Sequence, residues 1–454
     1  MLNALVLLKF YKGEIGPFDE SALEIALELK DASITVLAMA PESAKDRLKS
    51  LTRLGNVKAV LVCDDKYRGS DTLATAKVLA TAIKRLSPDL VLCGRQSMDG
   101  DTAQVPAQVA TLLGYNLITN ALEFNLDTIK TRLGDKKVCL PTVISVERIR
   151  NLRFPSLRSK PTEVEVWDNS VLDLSDDDIG TLGSKTKVLK VYSKPKPERK
   201  CKFISASELD GVIKESLKKE KIELKITESK NKLKKLFVVG DGVISLAKSL
   251  SDEVVVIDKT SAKEIADFIR ENDAKRVLFE ATLENRTIAP EVSAMLNSGL
   301  AADCIGVETD GENLYCYRPA NADDIVAKIA FTSDIEMATV RCVKTTDDII
   351  FSAGYGAKDY LDKIEGFAKK YNGELSSSRK LVDLGLTGYQ AQVGLTGKIV
   401  SPKVYVAIGI SGEVQHIVGM ENSTTVIAIN NDKNAKIFDY ADYGVTEDIK
   451  NVEL

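Results

Sequence analysis

The sequence predicts an α/β protein: two related nucleotide-binding-type α/β domains followed by a C-terminal α/β domain with a parallel sheet. Three observations carry that prediction. Short β-rich runs alternate with amphipathic stretches along nearly the whole chain, the pattern of βαβ units with helices on the faces of a mainly parallel sheet. One such unit recurs, since residues 89–124 and 275–308 share a strand, a polar loop, a Pro-marked helix start, a Leu/Gly turn and a second strand. A further strand, Gly-x-Gly turn and helix begin near residue 347. At 454 residues the chain is too long for one ordinary domain.

Taken in order, "MLNALVLLKFYKG" opens the chain as a buried strand closed by Lys9; it lacks the basic start of a signal peptide. "ESALEIALELKD" (20–31) and "TLATAKVLATAIKRL" (72–86) have helical periodicity, while "ITVLAM" (34–39), "AVLVC" (59–63) and "LVLCG" (90–94) are apolar without alternation, as strands covered on both faces are. Residues 184–235, rich in Lys, Ser and Pro, predict an arm plus linker with a helix over 206–219. "LFVVG" (236–240), "EVVVID" (253–258) and "RVLFE" (276–280) are read as buried strands of the second copy, with "SAKEIADFIREN" (261–272) as a helix. Pro106 and Pro290 mark matching early-helix positions, where a missing N–H costs least. In the last region "DDIIFSAGYGAKDYLDKIEGFAKKYN" (347–372) gives strand, turn and helix, and "VYVAIGI" (404–410) a buried strand.

Composition narrows the function. A net charge of −4 and a pI near 5.6 offer no basic face for nucleic acid; the basic runs 193–200 and 229–235 read as solvated linker. Seven cysteines are scattered with no CxxC, which encodes neither a zinc knuckle nor a redox pair and suits a reducing, cytoplasmic compartment. No apolar stretch approaches the roughly 20 residues of a membrane span.

The candidate binding loops are glycine-rich. "GRQSMDGDTAQV" (94–105) follows a strand and feeds a helix, where backbone N–H groups and the helix dipole favour a phosphate; a capped loop with Asp99, Asp101 and Thr102 serving the helix start explains the same residues. "SAGYGAKD" (352–359) has Gly354 and Gly356 but no third glycine at dinucleotide spacing. "QVGLTGKIVSP" (392–402) and "AIGISGEVQHIVGM" (407–420) set Gly, Ser and Thr against strand-like segments, and the latter holds His416, the chain's one histidine. For His416 the alternative is a hydrogen-bonded core residue, and for Arg379 in "LSSSRKLVD" a surface ion pair.

These stretches together resemble the electron transfer flavoprotein family, with β-subunit-like and α-subunit-like parts in one chain. The β-like part carries "GRQSMDGDTAQVPAQVATLLG", "LPTVISV" and "RFPSLRSK"; the α-like part carries "LNSGLAADCIGVE", "SSSRKLVDLG", "QVGLTGKIVSPKVYVAIGISGEVQHIVGM" and "VIAINNDKNAKIFDYADYGVTEDI". The resemblance implies a β-like domain with a C-terminal arm at 1–222, a linker and α-subunit N-terminal-like domain at 223–346, and a mobile FAD-binding domain at 347–454. It implies no catalytic residue and no metal.

Carried over by motif, Ser378 and Arg379 touch FAD, with the guanidinium near the isoalloxazine. Gln392, Val393, Gly394, Leu395 and Thr396 line the ring, the Thr396 hydroxyl near N5. Ser411, Gly412, Glu413, Val414, Gln415 and His416 run beside the ring and ribityl chain, with His416 near the O2 carbonyl; Asn430 and Asp448 meet the adenosine half. Arg379 and His416 then stabilise the negative charge of one-electron-reduced flavin, so that FAD serves as a one-electron carrier tuned by the protein. In the β-like part, Pro17, Phe18 and Asp19 with Gly94, Arg95, Gln96, Asp99, Gly100, Asp101, Thr102, Ala103, Gln104 and Val105 match contacts to a second nucleotide, AMP. The implied partners are flavin dehydrogenases, such as acyl-CoA dehydrogenases, and a quinone oxidoreductase or similar acceptor, with Leu157 in the docking loop.

Two departures stand out. Tyr355 occupies the place of the family's pyrophosphate-facing Arg, which leaves phosphate binding to backbone N–H groups, and the segment after "RFPSLRSK" is short. Two rival readings follow: an electron-bifurcating member with a second FAD in the β-like half and NADH as donor, and, more distantly, a nucleotide hydrolase or ligase on the same α/β units.

Overall fold

The structure, a computed structural model, describes all residues except 98, 194–198, 221–228, 230, 321–324, 342–347, 395–396, 399 and 454. It divides into two compact units, Met1–Ser193 with Ile226–Cys342, and Lys194–Lys225 with Val343–Leu454.

Counted over the described residues, the first unit begins with a nine-stranded sheet. Seven strands run parallel in the order Val164–Trp167, Val57–Val62, Ala32–Met39, Leu2–Leu8, Leu90–Gly94, Thr142–Val146 and Asn116–Glu123. The absence of polar alternation has the expected cause. Val6, Leu8, Leu90 and Leu92 pack into one core, while Leu5, Leu7, Val91 and Cys93 pack into another on the opposite face. Each such leucine contributes roughly 1.5–3 kcal/mol by leaving water. Helix Pro17–Glu28 starts with Pro17 in its first turn beside Asp19 and Glu20, the residue types that suit a helix N-terminus.

The second copy repeats this topology with five parallel strands, in the order Ser251–Val256, Leu233–Val239, Arg276–Glu280, Glu336–Val340 and Gly299–Cys304. Strand for strand this matches the central five of the first sheet, so the internal repeat is a repeat of fold. Two details differ from expectation. Ser251–Val256 is an edge strand in which only Ser251 is buried and Asp252, Glu253 and Val256 are exposed, not a buried one. Pro290 lies inside helix Asn285–Leu296, whereas Pro106 sits at the start of Val105–Leu113, because the second helix begins a turn earlier.

The sequence reading also missed an antiparallel sheet. Residues read as arm, Thr186–Ser193, pair with Ile325–Phe331, which continues through Leu314–Ala320 to Gly306–Thr309. The two halves of this unit meet there and where helix Val105–Leu113 packs on Asn285–Leu296; Gln104 Nε2 donates to Leu300 O at 3.1 Å.

The second unit is a six-stranded parallel sheet ordered Lys202–Phe203, Tyr443–Val445, Thr425–Ile429, Val404–Ile408, Ile349–Ala353 and Glu374–Ser377. Its outermost strand comes from the arm. The predicted arm helix is a 3-10 turn at Ala206–Glu208 followed by Leu209–Ser216, and Leu209 and Ile213 are fully buried with Phe351 and Val406. Arg199 fixes the arm by an ion pair with Asp442 and by bonds to the carbonyls of Glu421 (3.0 Å) and Ser423 (2.6 Å).

Candidate functional site

In an open parallel sheet, ligands gather beyond the strand C-termini where the strand order reverses. Each unit has such a point.

In the first unit it lies between Leu2–Leu8 and Leu90–Gly94. Asp19 joins the two strand ends, its carboxylate accepting from Lys9 N at 2.9 Å and Gly94 N at 3.1 Å. Burial pushes Asp19 up to about 7 in spite of those bonds. Gly94 allows the contact, because a Cβ there would stand 2.4 Å from Asp19 Oδ1. Beyond it opens a cavity of about 450 Å³, within the usual size of a ligand pocket. Its walls include Asp19 and the loop residues Gly94, Arg95, Gln96, Gly100, Thr102, Ala103, Gln104 and Val105, closed over by Thr186, Val188, Leu300, Ala302 and Arg318 from the arm and second half. Asp101 and Ala103 adopt φ of 52° and 54°, left-handed backbone that concentrates at binding loops. Arg318 Nη2 ties the loop down through Gly100 O at 2.7 Å.

Not every expected residue reaches this cavity. Pro17 serves the helix start, and Phe18 is buried with the Arg95 guanidinium 5.2 Å above its ring. Asp99 pairs with Lys9 at 2.9 Å; burial works against its charge, but Lys9 holds it below the usual carboxylate range. Asp101 turns into a smaller cavity alongside Arg286 and Asp303. Missed from the sequence were Asp71, Thr72, Arg318 and Leu300, all in the wall; nothing local marks residues that long-range pairing delivers. In the second copy Glu280 stands where Gly94 does, and its carboxylate accepts Gly242 N at 3.0 Å, filling the equivalent crevice.

In the second unit the order reverses between Ile349–Ala353 and Val404–Ile408. Tyr355, Ser378, the 409–416 segment, Asn430 and Asp448 all follow the C-terminal ends of its strands. Gly409, at φ 63°, presses against the Gly354–Ala357 turn, since a Cβ there would lie 2.6 Å from Ala357 N. The turn is closed by its own bonds: Gly354 N donates to Ile408 O, Gly356 N to Gly409 O and Ala357 N to Gly354 O. Those three N–H groups are therefore spent within the turn. Tyr355 is exposed instead, with Lys380 Nζ 3.9 Å and Lys358 Nζ 5.0 Å from its ring centroid, two cations that the sequence reading overlooked.

Ser378 stands at the N-cap position of helix Arg379–Asp383 without a side-chain cap bond, and its Oγ is buried with no hydrogen-bond partner. Arg379 pairs with Asp383 at 3.3 Å. Gln392 and Val393 are buried, Val393 in the core beneath the sheet, so the Val393 side chain packs the fold. Gly394, at φ 137°, lies with its backbone against the Gln415 carbonyl. Leu395 and Thr396 lie outside the described residues. Ser411, Glu413, Val414 and Gln415 are exposed, and Gly412 is buried at φ 93°. Asn430 bridges two loops, its Nδ2 donating to Ile410 O beyond Val404–Ile408 and its Oδ1 accepting from Asp432 N, and Asp448 caps the turn Ile449–Asn451.

His416 is buried, with Nε2 2.9 Å from Tyr405 Oη. Nδ1 is buried against the Val393 backbone, a contact that acts to raise the imidazole. Burial lowers the imidazole to about 4, so it is neutral at pH 7. This is the geometry of a core histidine, held between Tyr405 and the Val393 backbone. Leu157 and Phe154 project almost wholly into solvent from the loop that Arg153 fastens to Glu24.

Comparison with known proteins bears on both sites. The electron transfer flavoprotein domain family matches residues 4–171 and 238–343, and the electron transfer flavoprotein FAD-binding domain matches 345–421. The electron transfer flavoprotein subunit beta of Megasphaera elsdenii is 39% identical over 204 residues, 40% of this chain and 76% of that protein. Protein FixB of Clostridium saccharobutylicum is 32% identical over 268 residues, 47% of this chain and 80% of its own. The subunit alpha of Thermoanaerobacterium thermosaccharolyticum is 32% identical over 275 residues, 47% of this chain and 83% of its own. No helix among the described residues is long and apolar enough to cross a membrane.

Proposed function

The chain belongs to the electron transfer flavoprotein family, with β- and α-subunit-like parts fused, and we propose that it carries electrons singly between flavin dehydrogenases and a quinone oxidoreductase or similar acceptor. One FAD, held by the C-terminal unit, supplies the redox chemistry. The observation that carries this reading is that the FAD-binding match over 345–421 falls on the reversal point of the C-terminal sheet, where Ser378 Oγ is buried without a hydrogen-bond partner. Leaving that hydroxyl unpaired costs roughly 1–3 kcal/mol, which a ligand's polar atoms would recover.

Within that reading the residues divide by what their polar atoms have left to offer. Ser378 Oγ faces the cofactor as a hydrogen-bonding group, and His416, a neutral imidazole held between Tyr405 and the Val393 backbone, shapes the ring-side turn rather than supplying a cation. Positive charge comes from Arg379, whose side chain is 35% exposed on a weak surface pair, and from Lys358 and Lys380 beside Tyr355. Gly394, Leu395, Thr396 and Ser411–Gln415 supply the ring-side surface. Asn430 and Asp448 position their loops, since their polar atoms are already bonded. Residues 1–222, 223–346 and 347–454 are the β-like, α-N-terminal-like and FAD-binding parts, and the setting is cytoplasmic. Leu157 with Phe154 offers an apolar foot for an acyl-CoA dehydrogenase or similar donor. The cavity of about 450 Å³ in the first unit takes AMP; a second FAD there, with NADH as donor, is the bifurcating alternative.

Anaerobic titration of the yellow protein with dithionite tests the carrier role. Two separable one-electron steps are expected; a single two-electron step would refute it.

A further inference from the structure

One wall of the larger cavity is built differently from the rest. Strand Thr186–Ser193 forms the edge of the antiparallel sheet and pairs, among the described residues, with Ile325–Phe331 alone. Its register shifts between Val188 and Lys190, which leaves Leu189 opposite no partner residue, the two-against-one arrangement of a β-bulge. From Lys187 to Tyr192 every residue is exposed. A strand with one ladder, a bulge and little buried side chain belongs to the least stable part of a fold, and it opens locally well short of global unfolding.

Its first residues are held far more firmly. The Asp71 carboxylate accepts from Lys185 N at 2.7 Å, Thr186 N at 2.9 Å and Thr186 Oγ1 at 3.0 Å. The same carboxylate caps helix Thr72–Leu86 through Ala74 N at 2.9 Å, so the strand is latched to a helix start. On its other side Thr332 Oγ1 donates to Ser184 O at 2.6 Å, and Thr332 N to Lys185 O at 2.9 Å. These bonds converge on residues 184–186, the point about which a detached strand turns.

Asp71, Thr186 and Val188 line the cavity, as does Ile329 opposite Val188 in the ladder. A ligand there rests against the strand, its latch and the strand it pairs with. Lifting the chain from Val188 onward opens that flank of the cavity and leaves the Asp71 latch in place.

We propose that strand Thr186–Ser193 is the lid of the larger cavity: hinged at residues 184–186, it lifts to pass a ligand, and a bound ligand holds it shut. This lid rests on the reading of that cavity as the AMP site. A ligand that binds only the shut form suppresses opening about 100-fold when present at about a hundred times its Kd.

Hydrogen–deuterium exchange of the full-length, nucleotide-free chain, with and without AMP at about a hundred times the Kd from calorimetry, reads the lid directly. Amides of residues 186–192 should exchange at least tenfold more slowly with AMP bound. Those of Arg276–Glu280, which is no part of the cavity wall, should change less than twofold. The ladder also offers a lock, since Val191 pairs with Ala327 and neither lines the cavity. With Val191→Cys and Ala327→Cys joined by oxidised glutathione, AMP uptake and release followed by stopped flow should both slow at least tenfold. Kd should stay within threefold, and the rates should recover on reduction with dithiothreitol. AMP that binds without slowing residues 186–192 overturns the lid and leaves the AMP reading standing. If AMP does not bind at all, that reading fails and the lid with it. A cross-linked chain that takes up and releases AMP at the wild-type rate overturns the lid as well. Should the cross-link not form, the exchange comparison decides alone.

Discussion

Replacing His416 by Gln should remove a specific acid sensitivity from the FAD-free chain. The native imidazole is held to about 4 by burial, whereas an unfolded chain presents it at about 6.5. Above pH 6.5 neither state takes a proton and stability does not respond to this group. As pH falls from 6.5 to 4, the unfolded chain binds a proton that the native one refuses, so stability is lost; below 4 the loss levels off. At 1.36 kcal/mol per pKa unit the full effect is about 3 kcal/mol. Gln can still meet the Tyr405 hydroxyl but cannot titrate, so its packing cost is the same at every pH. Urea unfolding followed by circular dichroism at pH 7.5 and 4.2 should show wild type losing about 3 kcal/mol more than His416→Gln across that interval. Parallel losses in the two proteins would refute a buried neutral imidazole.

Three substitutions probe the rest of the framework. Gly94→Ala drives a Cβ to 2.4 Å from Asp19 Oδ1 and 2.8 Å from Phe18 Cβ, so the nucleotide cavity should lose AMP affinity at least tenfold by calorimetry while FAD content is kept. Gly409→Ala adds a Cβ at φ 63° against Ala357 N; the variant should purify with little FAD, seen as loss of visible absorbance. Arg199→Met abandons Asp442 and two carbonyls in a side chain only 6% exposed, and urea unfolding should report a loss of about 3–5 kcal/mol.

Much of the fold was legible because strands covered on both faces must be apolar throughout: Leu90–Gly94 and Arg276–Glu280 sit where their sequences place them. The repeat was visible for the same reason. The antiparallel strand Thr186–Ser193 was not, since its side chains are mostly exposed and its pairing with Ile325–Phe331 spans more than 130 residues, so no local pattern announces it. Of the sites, the loops were legible through glycine, whose close backbone contacts at 94, 354 and 409 no other residue permits. The individual side chains were less so. His416 and Val393 turn inward, Asn430 is tied to the neighbouring loop at Ile410, and Lys358 and Lys380 converge on Tyr355 through a fold that spacing alone does not reveal.

The central claim is one electron-carrying FAD in the C-terminal unit and a different nucleotide in the first. Acid release of bound cofactors from the gently purified chain, separated chromatographically and counted against protein, tests it directly. The account predicts one FAD and one AMP per chain; two FAD, or a colourless protein that FAD does not reconstitute, would contradict it.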